Sequence, residues 1–148
     1  MNDSARNRDL ALLVLRLVVG FVFFFHGSQK LFGWFSGYGL EATGQWMASI
    51  GIPFGTFSAL LAGLAEFGGG LALLTGAGVR LAAAPLAITM LVAGFTAHGS
   101  AFSITNGGME YTLVLAAASV ALGLTGPGSW TVPALLARRG RASTAPAS

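Results

Sequence analysis

Histidine, lysine and glutamate are the side chains here that could bind a ligand and move protons, and they sit in unusual company. Residues 21–35 read FVFFFHGSQKLFGWF, so His26 and Lys30 stand one helical turn apart behind a run of phenylalanines. His98 and Glu110 flank two later apolar runs. These four residues form a hydrogen-bonding and acid–base set of the kind a carbonyl-bearing ligand needs. Phe25, Phe32 and Trp34 lie beside them and offer ring faces. His26 and His98 are also a candidate axial pair for a b-type haem. Each residue has a plainer reading: Lys30 as a snorkelling lysine at a helix end, Glu110 as a carboxylate on a helix dipole, and each histidine as an interfacial residue.

The elements that position these groups follow from composition. The chain has 148 residues, of which 54% are hydrophobic and 9% charged, and its mean hydropathy is +0.73. Charged residues make up about a quarter of an ordinary soluble domain, so a chain this apolar belongs in a bilayer. The basic pI of about 10.2 reflects eight Lys+Arg against five Asp+Glu. Because the basic residues sit at chain ends and turns, they report membrane orientation rather than nucleic-acid binding. Without cysteine, the chain forms no disulfide, thiolate metal site or iron–sulfur cluster of its own, and no metal site is expected. Arg6 and Arg8 precede an apolar run as in a signal peptide, but Arg16 interrupts the run and no A-x-A-like site follows. The run therefore reads as a retained span.

Spans need about 20 mostly apolar residues and must be helical to satisfy their backbone. The sequence predicts an all-α integral membrane protein, a four-transmembrane-helix bundle with spans at about 10–32, 54–74, 79–97 and 108–124. Residues 1–9 read as a cytoplasmic tail, 10–130 as the membrane domain and 131–148 as a flexible cytoplasmic tail. Within the outer loop 33–53, residues 41–50 suit a short interfacial helix. Arg6, Arg8, Arg80, Arg138, Arg139 and Arg141 fall on one side, while loops 33–53 and 98–109 carry no Lys or Arg. The positive-inside rule then puts both termini in the cytoplasm, N-in/C-in.

Ionisable groups inside a bilayer face the bundle interior and pair. Counting depth from the inner ends of spans 1 and 2 puts Arg16 level with Glu66, and predicts a structural ion pair between them that Arg80 joins. The same count places His26, Lys30, His98 and Glu110 in one outer cluster. In span 2, Ala59, Ala62, Gly63, Glu66, Gly69, Gly70 and Leu73 share a face of mostly small residues, as close helix contact in lipid requires.

The pattern R-x-V-V-G-x-x-F-x-x-H-G-x-x-K-L, laid loosely over residues 16–31, resembles the DoxX family of small four-helix bacterial membrane proteins. So do A-E-x-G-G-G-L-x-L-L-T-G over 65–76 with Arg80 following, His98, the N-G-G-x-E stretch ending at Glu110, and Gly126-Pro127-Gly128. The resemblance covers about residues 10–130. It implies a multi-pass protein of the cell (inner) membrane, with functional positions at Arg16, His26, Lys30, Glu66, Arg80, His98 and Glu110. It also implies a membrane subunit of an oxidoreductase or redox-defence system. One branch belongs to a thiosulfate:quinone oxidoreductase, and another member is associated with a superoxide dismutase and a sulfurtransferase.

Two classes of function follow. In the first, His26, Lys30, His98 and Glu110 bind a quinone, with Phe25 and Trp34 holding its ring, and a soluble redox partner exchanges electrons with it; b-type haem on His26 and His98 is the variant cofactor. In the second, the chain is a non-enzymatic membrane anchor for soluble redox proteins, or a small proton-coupled carrier. A carrier built from four helices needs a homo-oligomer to enclose a path.

Overall fold

The residues buried along the first helix recur every three or four positions: Asp9, Leu12, Arg16, Val19 with Gly20, Phe23 and Gly27. That is the period of one helix face turned toward neighbours. The computed structural model describes residues 2–143, with side chains through Arg141. Helix α1 spans Asp3–Phe32. Its first residues, read from sequence as a tail, are helical because the Asn2 side chain accepts a hydrogen bond from the Ala5 N–H at 2.9 Å, an N-cap that satisfies one otherwise unpaired donor. Gly33 ends α1 in the left-handed region, φ 71°.

Helix α2 (Gly39–Ser49) buries Thr43, Gly44 and Met47 against α3 and α1. Helix α3 (Gly55–Thr75) buries Ala59, Gly63, Glu66, Gly69, Gly70 and Leu73, and α4 spans Val79–Ala97. A 3-10 turn at Ile104–Asn106 leads into α5 (Glu110–Thr125). Helix α6 (Val132–Ser143) occupies sequence expected to be a flexible tail. It forms because Thr131 caps it, the hydroxyl accepting from the Ala134 N–H at 3.2 Å, with Pro133 tolerated in the first turn. The rest of that expected tail, 144–148, lies outside the described residues.

Helix α1 packs on α3, α3 on α4 and α4 on α5, and a short contact between α1 and α5 closes the bundle. Leu12, Val19, Phe23, Leu73, Leu86, Met90, Leu115 and Leu122 form its core. The outside is as apolar as the inside: Val18, Phe21, Leu61, Leu81, Ile88, Phe95, Val114 and Leu124 are all exposed. A soluble protein rarely shows so continuous an apolar exterior. Three helices, α1, α3 and α4, are long and apolar enough to cross a membrane, and α5 is a shorter apolar helix. The chain is an all-helical, multi-pass integral membrane protein.

Candidate functional site

The α1–α3 interface is set by glycines. Gly20 and Gly27 lie on the buried face of α1, Gly63 and Gly70 on that of α3. A Cβ on Gly70 would strike the Phe24 backbone and one on Gly27 the Phe67 backbone, while one on Gly63 would meet the Leu31 side chain at 2.6 Å. Small residues let the two backbones touch, which is how helices associate in lipid. The resulting register brings Glu66 level with the end of α1.

There the Lys30 Nζ donates to Glu66 Oε2 at 2.6 Å. The Glu66 side chain is 2% exposed and that of Lys30 24%. The expected Arg16–Glu66 pair is therefore corrected to Lys30–Glu66. In this antiparallel register Arg16 lies some twelve residues below the level of Glu66, roughly 18 Å along the helix. The buried Arg16 guanidinium instead donates to the Trp130 carbonyl at 2.6 Å and the Leu73 carbonyl at 3.4 Å. Leu73 is in the last turn of α3, where carbonyls lack intrahelical partners and the dipole favours a cation. Arg80 does not join either group: it is exposed and its guanidinium lies over Gly126.

His26 is exposed, one turn before Lys30, and within electrostatic reach of both Lys30 and Glu66. Gln29 fixes its ring. The Gln29 Nε2 donates to the Phe35 carbonyl at 3.2 Å, so its Oε1 is the atom 3.1 Å from His26 Nδ1. A carboxamide oxygen only accepts, so Nδ1 carries the proton and Nε2 presents its lone pair. The turn after α1 completes the arrangement. Phe35 (φ 53°) and Ser36 (φ 61°) both adopt left-handed backbone without being glycine, a conformation that costs roughly 1–2 kcal/mol per residue. The turn stacks Phe35 on Phe25 at 4.8 Å between centroids. Phe32 packs against Trp34 at 4.9 Å and against Phe67 at 5.2 Å. The result is a Phe25–Phe35 stack beside the His26 ring, with Phe32, Trp34 and Phe67 forming a second aromatic group at the same end of α1.

The structure thus gathers His26, Lys30, Phe25 and Trp34 at one end of the α1–α3 pair. His98 caps the end of α4, its Nδ1 donating to the Gly107 carbonyl at 2.9 Å. Glu110 opens α5 and lines an apolar groove of about 570 Å³ with Phe102, Tyr111 and Val114. Among the described residues no hydrogen bond or ion pair links His98 or Glu110 to His26 or Lys30, and none forms a cluster of three or more potential metal ligands. The sequence reading missed Glu66 as the partner of Lys30, and Gln29 as the group that orients His26. The glycines marked which faces touch but not the register. Pairing them with one another would set Glu66 level with Phe24, whereas Gly27 in fact faces Glu66 and Phe67 and Gly63 faces Lys30 and Leu31, which brings Glu66 beside Lys30.

Comparison with known proteins agrees with this architecture. The DoxX family model matches residues 11–99. The chain is 32% identical over 118 residues to the "Putative oxidoreductase CatD" of Bacillus subtilis, covering 80% of this chain and 81% of that protein. It is 32% identical over 132 residues to the inner membrane protein YqjF of Escherichia coli, covering 88% of this chain and 95% of the relative. No solved structure matches. A family match across the helices that build the site, with relatives alike over most of their length, shows that the chain belongs to the DoxX family.

Proposed function

We propose that the chain is the membrane subunit of a quinone-linked redox system, and that the quinone head group binds at the end of the α1–α3 pair. The observation that carries this reading is the Lys30–Glu66 ion pair, its carboxylate buried, one turn from the oriented imidazole of His26 with the Phe25–Phe35 stack against that ring. An ionisable pair inside a membrane bundle is costly and marks a functional position by default. The Lys30 ammonium donates to a quinone carbonyl oxygen. The lone pair of His26 Nε2 accepts from a quinol hydroxyl, and Glu66 holds the ammonium in place and balances its charge. Phe25, Phe35 and Trp34 offer faces for the ring, and a redox partner exchanges electrons with the bound quinone. The name of the Bacillus relative is in keeping with this class of function.

In this reading the bundle has four spans. The Cβ of Gly94 on α4 would meet Thr112 on α5, and that of Gly123 on α5 would meet Ala83 on α4, so α5 runs antiparallel along nearly all of α4 and crosses the membrane with it. Arg6, Arg8, Arg80, Arg138 and Arg139 share one end, which the positive-inside rule assigns to the cytoplasm. The quinone site then lies at the outer side of a cell inner membrane, the location named for the Escherichia relative.

The test is binding of a soluble ubiquinone or menaquinone analogue to the purified chain in nanodiscs, read by quenching of tryptophan fluorescence. Saturable quenching that is lost in His26→Leu and Lys30→Met is expected. No saturable binding by the wild type, alone or with a co-purified redox partner, would sink the proposal.

A second reading is favoured by the fact that Lys30 and Glu66 join two helices. The pair then serves as a clasp in a membrane anchor for soluble redox proteins. His26→Gln would leave an anchor fully functional and would impair a quinone site, so in-cell activity of that variant separates the two.

A further inference from the structure

The arginine-rich end carries a second feature that the quinone site does not use. Residues 129–131 and α6 fold back beside the α1–α3 pair and leave a groove of about 410 Å³. Leu13, Leu74 and Leu135 line its walls, and Thr75, Ser129 and Arg138 supply polar atoms. Helix α6 buries little of itself. Val132 is 44% exposed, Leu135 57% and Leu136 61%, next to Arg138, Arg139 and Arg141. A helix with exposed leucines and a basic end is suited to the plane of a membrane interface, and Trp130 precedes it at the level where indoles concentrate.

Charge says what the groove takes. Seven arginines lie at this end (6, 8, 16, 80, 138, 139 and 141) against only Asp3 and Asp9. Both aspartates have a cation already, Asp3 with Arg6 at 3.1 Å and Asp9 with Arg8 at 3.6 Å. Arg16 is occupied by two backbone carbonyls. Among the described residues no ion pair engages Arg138 or Arg139. An apolar slot that opens beside an arginine lacking an acid matches a molecule with a hydrocarbon chain and a phosphate.

We propose that the groove between α6 and the α1–α3 pair binds an anionic phospholipid, with an acyl chain along Leu13, Leu74 and Leu135 and the phosphate on Arg138. The lipid closes the gap under α6 and fixes that helix against the bundle. This inference needs only the membrane location and stands apart from the quinone site, so His26→Leu leaves it unchanged.

The test is native mass spectrometry of the full chain, purified in detergent and exchanged with phosphatidylglycerol or with phosphatidylcholine. The wild type is expected to retain phosphatidylglycerol preferentially. Arg138→Gln is expected to lower that retention roughly fivefold, the worth of one basic residue at an anionic membrane surface. Arg6→Gln, at the same end but outside the groove, is expected to change it little. Leu135→Gln is expected to weaken retention of the lipid by spoiling the chain slot. Equal retention of both lipids by the wild type would overturn the proposal. So would equal losses from Arg6→Gln and Arg138→Gln, which would mean diffuse charge rather than a site, and so would unchanged retention in Leu135→Gln.

Discussion

Lys30 Nζ lies 2.6 Å from Glu66 Oε2, and this contact is the only salt bridge between two helices among the described residues. It ties the C-terminal end of α1 to the middle of α3. Both partners are pulled out of water, Glu66 almost completely. A buried pair of this kind does not by itself add much stability, because desolvation offsets the attraction, but leaving one charge alone is costly.

Lys30→Met should therefore destabilise the protein by about 3–5 kcal/mol, since it strands the Glu66 carboxylate in the bundle. The double variant Lys30→Met with Glu66→Leu should recover most of that loss, because both charges go together. Unfolding of each variant in detergent, followed by circular dichroism, gives the coupling. If the double variant is as unstable as the single one, the carboxylate was not the source of the cost.

Glycines at the helix contact should behave differently from glycines facing out. A methyl on Gly27 would run into the Phe67 backbone, whereas one on Gly68 would meet nothing within 4 Å. Gly27→Ala should cost about 1–3 kcal/mol through forced separation of α1 and α3. Gly68→Ala should be neutral or stabilise α3 by roughly 0.5–1 kcal/mol, because alanine loses less backbone entropy in a helix. Thermal unfolding of the two variants side by side checks this, and equal effects would contradict the packing.

Much of this was readable in the chain. The spans expected at 54–74 and 79–97 match α3 (Gly55–Thr75) and α4 (Val79–Ala97) to within a residue, because glycines with positive φ at 76 and 78 stop one helix and start the next. The short helix expected at 41–50 within loop 33–53 is α2, Gly39–Ser49. Depth was not readable in the same way. Counting from helix ends assumed that spans 1 and 2 begin and stop level, whereas the glycine contacts slide α3 toward the C-terminal end of α1. That slide trades Arg16 for Lys30 as the partner of Glu66. The contact of Arg16 with Trp130 was invisible because a backbone carbonyl 114 positions away leaves no mark in residue type. Helix α6 was missed because its alanine- and arginine-rich sequence gives little packing signal, and only the Thr131 cap announces it.

Arg16 should act as the fastener of the segment after α5. Its bonds to the Leu73 and Trp130 carbonyls hold that segment against the end of α3. Arg16→Met removes both charged hydrogen bonds and leaves buried acceptors unpaired, for a loss of about 2–3 kcal/mol. Amide exchange should rise chiefly across 129–135, with α2 unaffected. Arg16→Lys should rescue only part, because one ammonium lacks the planar fork that spans two acceptors. Uniform exchange across the whole chain would show a global effect instead.

His26 and His98 should contribute independently. Each imidazole has its own local partner, Gln29 for His26 and the Gly107 carbonyl for His98, and they sit on helices that are not principal packing partners. Sites that share no partner add to within about 0.5 kcal/mol. The stability losses of His26→Ala and His98→Ala should therefore sum in the double variant, measured by chemical unfolding in the same detergent. His98→Ala should loosen the loop around Gly107, and His26→Ala should leave that loop alone. A haem held between the two rings requires the opposite: strong coupling in the double variant and a visible absorbance band that either single substitution removes.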